Sequence, residues 1–189
     1  MSLQLDSRTT ALVLIDLQNG IVGRPVQPHS ADSVIRASRA MADAFREKRA
    51  TVVYVRVDLA NLLRLNVDIS RFDPNAAPPP ASASELVPEA GCSDGDLVIT
   101  KRQWSAFGGT DLEGLLRERA VDTIVLAGIA TNYGVESTLR HAVALGFNVV
   151  VAEDACSSLN ADAHTFAVKN IFPLLSRVRS SQEVIAALD

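Results

Sequence analysis

The chain has 189 residues, 48% of them hydrophobic, and a net charge of −4, enough apolar material for one well-filled core, with no shift in composition that marks a second domain within residues 1–189. Its 18 basic residues are scattered rather than clustered, which argues against nucleic acid or an anionic membrane as a partner. Two cysteines make no disulfide framework, MSLQLDSRTT is not a secretory leader, and no apolar run approaches the ~20 residues of a membrane span, so a reduced, cytoplasmic protein is expected.

In chain order, ALVLID (11–16), TVVYVRV (51–57), DLVIT (96–100), DTIVLAG (122–128), NVVVAED (148–154) and LLSRV (174–178) are short β-branched runs that read as buried strands. Helical signals lie between them. Val34, Ile35, Met41 and Phe45 stripe one helix; Thr110-Asp111-Leu112-Glu113 has the pattern of a capping box that opens a second. Val135, Thr138, Leu139, Ala142 and Val143 share a face that stops at Gly146, and Ser180-Ser181-Gln182-Glu183 opens a last helix. Such alternation implies a parallel sheet with helices on both faces, and ligands at the C-terminal strand ends. The connection from Asp58 to Gly95 breaks the regularity and holds Pro74, Pro78, Pro79, Pro80 and Pro88. It is either a lid, binding loop or oligomer contact, or a solvated excursion.

Asp16 ends the first strand, where burial would raise its pKa for acid or base work, unless it only caps the next segment. Gln18 follows in the same stretch, VLIDLQNG, as a candidate substrate contact. Lys101, in VITKRQWSAFGGT, offers a cation beside Trp104 and Phe107 as pocket walls, against the alternative of a snorkelling surface lysine. AGIATNYGVES (127–137) leaves the fourth strand for a helix, and its backbone N–H groups, from Ala130 through Thr131, Asn132 and Gly134, suit a carboxylate or oxyanion. Gly134 serves either a positive φ or close substrate approach, or the segment is a plain turn capped by Asn132. The chain carries neither G-x-G-x-x-G nor a Walker A motif, and His29, His141 and His164 lack metal-ligand spacing and read as surface or core residues. Cys156 is either a displaced nucleophile or a buried structural thiol; Cys92 is a weaker candidate.

Together ALVLIDLQNG, ITKRQWSAFGGTDL and DTIVLAGIATNYGVESTLRHAVALGFNVVVAEDAC resemble the isochorismatase-like, or cysteine hydrolase, family. The resemblance implies a three-layer α/β/α fold with a Rossmann-like, six-stranded parallel sheet of order 3-2-1-4-5-6, assembled as homodimers or homotetramers. It also implies an Asp-Lys-Cys triad, in which Asp16 and Lys101 match the acid/base and the lysine while the cysteine position falls on Gly134. A non-proline cis peptide is implied in the turn, between Ala130 and Thr131. The metal-binding, nicotinamidase-like branch carries an Asp-x-His pattern and a further histidine after the second strand; VRVDLANLL has only Asp58, so neither zinc nor another cofactor is expected.

Gly134 cannot form an acyl-enzyme. True isochorismatases also carry glycine there and cleave a vinyl ether by acid catalysis, but they have a Tyr-Ala-His run where this chain has Ala130-Thr131-Asn132. The resemblance is to a cysteine-less subgroup. The expected function is hydrolysis of a small carboxylate-bearing or enol-ether metabolite, with Asp16 as acid/base and Lys101 as its electrostatic partner. The alternatives are a catalytically silent binding or regulatory protein and a Cys156-dependent amidohydrolase.

Overall fold

The computed structural model describes residues 3–70 and 76–189; Pro74 lies outside them. Six parallel strands, β1 (Thr10–Ile15), β2 (Thr51–Val57), β3 (Leu97–Lys101), β4 (Thr123–Ile129), β5 (Asn148–Ser157) and β6 (Arg177–Arg179), form one sheet of order β3-β2-β1-β4-β5-β6. β1 and β4 are buried along their whole length, as their unbroken apolar sequences require. β3 is an edge strand with Val98 exposed, so it is buried on one face only.

The helices are α1 (Asn19–Val22), α2 (Ala31–Glu47), α3 (Leu112–Glu118), α4 (Glu136–Ala144), α5 (Ala161–Phe166), α6 (Phe172–Leu175) and α7 (Ser181–Ala187). Right-handed crossovers run from β1 to β2 in one direction along the sheet and from β4 to β5 in the other, which puts α2 and α4 on opposite faces. α2 buries Val34, Ile35, Met41, Ala42 and Phe45 and is capped by Ser30, whose side chain accepts from the Ser33 N–H. Ser180 and Glu183 complete the expected capping box of α7.

The other expected box does not form. Thr110 Oγ1 donates to the Ala106 carbonyl, and Asp111 occupies the cap position of α3 without a side-chain bond. The sixth strand is also shorter and later than LLSRV suggests, because Phe172–Leu175 close the preceding helix with Leu174 exposed and only Arg177–Arg179 pair with β5.

β1 and β4 are neighbours from which the chain winds outward in opposite directions, so their C-terminal ends flank the topological switch point. The strands approach closely there: a Cβ on Gly128 (φ 123°) would lie 2.1 Å from the Ile15 carbonyl oxygen, so only glycine fits. Beside this point β5 bulges. Leu126 pairs with Val151 and Gly128 with Cys156, so β5 advances five residues while β4 advances two.

Candidate active site

Asp16 follows β1 with φ 56°, a left-handed conformation that aspartate tolerates better than most residues. Its Oδ2 accepts from Lys101 Nζ at 2.9 Å, and the side chains are only 9% and 1% exposed. Lys101, the last residue of β3, also donates to the Trp104 carbonyl at 2.8 Å. The snorkelling alternative is therefore wrong, because the ammonium points inward and is held by two acceptors. Asp16 Oδ1, equally buried, has no hydrogen-bond partner among the described residues. Burial raises the Asp16 carboxyl above its ordinary range against the opposing pull of the Lys101 charge and hydrogen bond.

The turn after β4 supplies the third side. Thr131–Val135 form a π-turn running into α4, with the Tyr133 and Val135 N–H groups bonded to the Ala130 carbonyl at 3.1 and 3.3 Å. The Thr131 and Asn132 N–H groups open this helix, where geometry provides no intrahelical partner. A Cβ on Gly134 would lie 3.0 Å from Lys101 Nζ, 3.2 Å from Asp16 Oδ2 and 3.0 Å from Ile15 Cγ2. The backbone at position 134 thus lies directly against the carboxylate-ammonium pair, and any side chain there would crowd it. Gly134 is not among the residues of positive φ, so its need is for space.

The non-proline cis peptide joins Ile129 to Ala130, one residue before the expected Ala130–Thr131 position, because the chain turns at the last residue of β4. Asn132 is not a helix cap; Ala130 holds the cap position, and Asn132 Oδ1 accepts from Ser158 Oγ. Thr131 is fully buried, with Oγ1 2.8 Å from His164 Nδ1.

Other candidates have different surroundings. Gln18 is fully buried, donating to the Val57 and Ala83 carbonyls at 3.0 and 3.1 Å and accepting from the Val57 N–H at 2.7 Å. Its amide fastens the ends of β1 and β2 to the long excursion, so its place is one of positioning rather than substrate contact. Phe107 packs against Phe147 and His141 in the core, which is a packing contact rather than a pocket wall. Trp104 is 54% exposed, edge-on to Tyr133 at 4.8 Å; Leu63, Thr100, Arg102, Gln103, Gly108 and Gly109 line a hollow that does not include it. Cys156 is fully buried in β5, and that burial pushes its thiol far up, which leaves it a structural residue. Cys92 is exposed, and desolvation raises its thiol.

One cluster has no signature in residue spacing. His29, Glu153 and His164 bring their side-chain donors together, although His29 lies far from the other two in the sequence. The only hint is the charged Glu153-Asp154 pair interrupting the apolar run of β5. Burial works against the charge on Glu153, but hydrogen bonds from the two histidines outweigh it and hold the carboxyl below its ordinary range. Burial also lowers His164, favouring the neutral ring.

The isochorismatase domain matches residues 10–183. The isochorismatase family protein YecD of Escherichia coli O157:H7 is 46% identical, over 98% of this chain and all of its own length. An isochorismatase family protein of Burkholderia thailandensis superimposes with a TM-score of 0.90 at 42% identity, covering 99% of this chain and 98% of the other. The ureidoacrylate amidohydrolase RutB of Enterobacter sp. strain 638 is 40% identical over half of this chain and 41% of its own.

Proposed function

The chain belongs to the isochorismatase family of hydrolases, and we propose that it works without a covalent intermediate, by acid catalysis from Asp16 on a small carboxylate-bearing or enol-ether substrate. The observation that carries this reading is Asp16 Oδ1, buried and without a hydrogen-bond partner among the described residues, beside the bare backbone at Gly134. A carboxyl raised by burial holds a proton into a higher pH range, and Oδ1 is free to hold it while Oδ2 stays on Lys101. Protonation of the enol-ether carbon makes an oxocarbenium ion. Water adds to that cation and loses a proton to the Asp16 carboxylate, and the hemiketal collapses to a ketone and an alcohol.

Lys101 offsets charge on Asp16, and the backbone at Ala130, Thr131 and Gly134 orients the substrate through N–H donors. Asn132 and Trp104 border the same turn and are candidate contacts. The acyl-enzyme route of an amidohydrolase has no support in the residue at position 134, nor in Cys156. We also read the protein as a homodimer or homotetramer, supported by Leu63, Leu65, Val67 and Ile69, exposed along the long excursion.

A hydrolysis panel of isochorismate, other enol ethers, small amides and carbamoyl compounds, run on wild type and Asp16→Asn, tests the reading. Turnover of an enol ether that vanishes in Asp16→Asn with the fold intact is expected. Wild-type rates in that variant would sink the assignment, and ligand-dependent thermal stabilisation without product would favour a binding protein.

A further inference from the structure

Away from Asp16 and Lys101, three segments converge on one carboxylate oxygen. Glu153 Oε1 lies 2.9 Å from His29 Nε2 and 3.1 Å from His164 Nε2, and one ligand atom from each of the three residues falls within 4.8 Å of the others. The imidazoles stand nearly perpendicular, with centroids 5.7 Å apart. We propose that His29, Glu153 and His164 form a binding site for a divalent first-row transition-metal ion, with zinc as the first candidate.

The donor set is two imidazoles and a carboxylate, a combination that suits zinc and its neighbours. Metal-ligand bonds of about 2.0–2.1 Å in a tetrahedron put the ligand atoms about 3.3 Å apart, so the two short separations need to open by only a few tenths of an ångström. His164 is 3% exposed, whereas His29 and Glu153 are 30% and 33% exposed. The ion would thus be held by three protein groups with a remaining position toward solvent, the pattern of an open rather than a closed site.

The protons can be placed. To bind through Nε2, each ring must carry its proton on Nδ1. In the metal-free site Nε2 donates to Glu153, so binding moves the His164 proton to Nδ1, where Thr131 Oγ1, 2.8 Å away, turns from donor to acceptor. The fold also holds the ligands before any ion arrives. Gln27 and Ser158 exchange backbone hydrogen bonds of 2.7 and 2.8 Å, and Ser157 Oγ donates to the His29 carbonyl at 2.7 Å. Glu153 is set by the β5 bulge, and His164 by α5, whose cap Asn160 accepts from the Ala163 N–H. None of these ligands occupies the Asp-x-His position after the second strand.

Calorimetric titration of chelator-treated protein with zinc chloride tests the site, with cobalt(II) as the spectroscopic probe. One zinc ion per chain is expected, and cobalt should show tetrahedral ligand-field bands without thiolate charge transfer. His29→Ala, at a part-exposed position, and Glu153→Gln, each checked for native folding, should weaken zinc by at least about tenfold. Cys92→Ser should bind as wild type does. Unchanged affinity in His29→Ala, loss of binding in Cys92→Ser, or no saturable uptake by natively folded wild type would each overturn the proposal.

Discussion

Restoring a thiol at position 134 probes the charge state of Asp16 directly. In Gly134→Cys the new Cβ sits 3.0 Å from Lys101 Nζ and Ile15 Cγ2 and 3.2 Å from Asp16 Oδ2, so neighbours must yield slightly. Overpacking of this kind costs about 1–3 kcal/mol, offset by roughly 0.3 kcal/mol because cysteine is the better helix residue. The net cost of about 0.7–2.7 kcal/mol lowers Tm by roughly 1–11 °C for a domain of this size. The sulfur, one bond further out, meets an ammonium whose attraction for a thiolate at about 4 Å and an effective dielectric of 20 is about 4 kcal/mol, or roughly three pKa units. Desolvation opposes this shift. If Asp16 is largely neutral, as its burial argues, the ammonium acts alone and the thiol should titrate below the ordinary value of about 8.5. The assay is the pH dependence of iodoacetamide alkylation in a Cys92→Ser background, which removes the exposed thiol. Half-maximal reactivity at or above about 8.5 that drops once Asp16→Asn is added would mean that Asp16 is ionised and cancels its partner, and the acid role would fail.

The raised Asp16 carboxyl also fixes the sign of a pH effect. Folding favours its neutral form, so this contribution is complete below the ordinary value of 3.8 and is lost as pH rises through the raised one. The amide in Asp16→Asn has no such loss, so its Tm relative to wild type should climb across that window and then level; a difference independent of pH would contradict the shift. Turnover by wild type should decline over the same rise, read from kcat against pH. Gly128→Ala would push a methyl to 2.1 Å from the Ile15 carbonyl oxygen at a φ of 123°, and should cost roughly 2–6 kcal/mol in urea denaturation; a near-neutral result would show that β1 and β4 are more loosely spaced. Cys156→Ala should lose about 1–2 kcal/mol of stability with kcat/KM unchanged, whereas lost activity at full folding would restore the nucleophile reading.

The parallel sheet and most of its strands were legible because buried parallel strands are unbroken β-branched runs, and the periodicity of α2 and α4 is strong; the strand order came only through the family resemblance. The sixth strand was misplaced because LLSRV is apolar enough for either a strand or the end of a helix; the edge position of β6 left it only three paired residues. Asp16 and Lys101 could be singled out as charges at the ends of apolar strands, but their pairing came only from the family resemblance, since it depends on how β1 and β3 lie in the sheet. Gln18 and Phe107 were read as ligand contacts because polarity and aromaticity look alike in a pocket and in a core. The His29, Glu153 and His164 cluster was illegible for a related reason: a loop, a bulge and a helix bring its members together, and no local spacing encodes them.

The β5 bulge has an architectural consequence. Asp154, next to Glu153, accepts from the Ser181 N–H and Oγ at 2.6 and 2.7 Å, while Glu153 holds the two histidines, one of which reaches the Thr131 turn. Adjacent carboxylates on one irregular loop of strand thus moor the C-terminal helix and the floor beneath the Gly134 turn. Straightening that strand by deletion would unfasten both at once, so the length of the bulge is a shared constraint on the chain's end and on its chemistry.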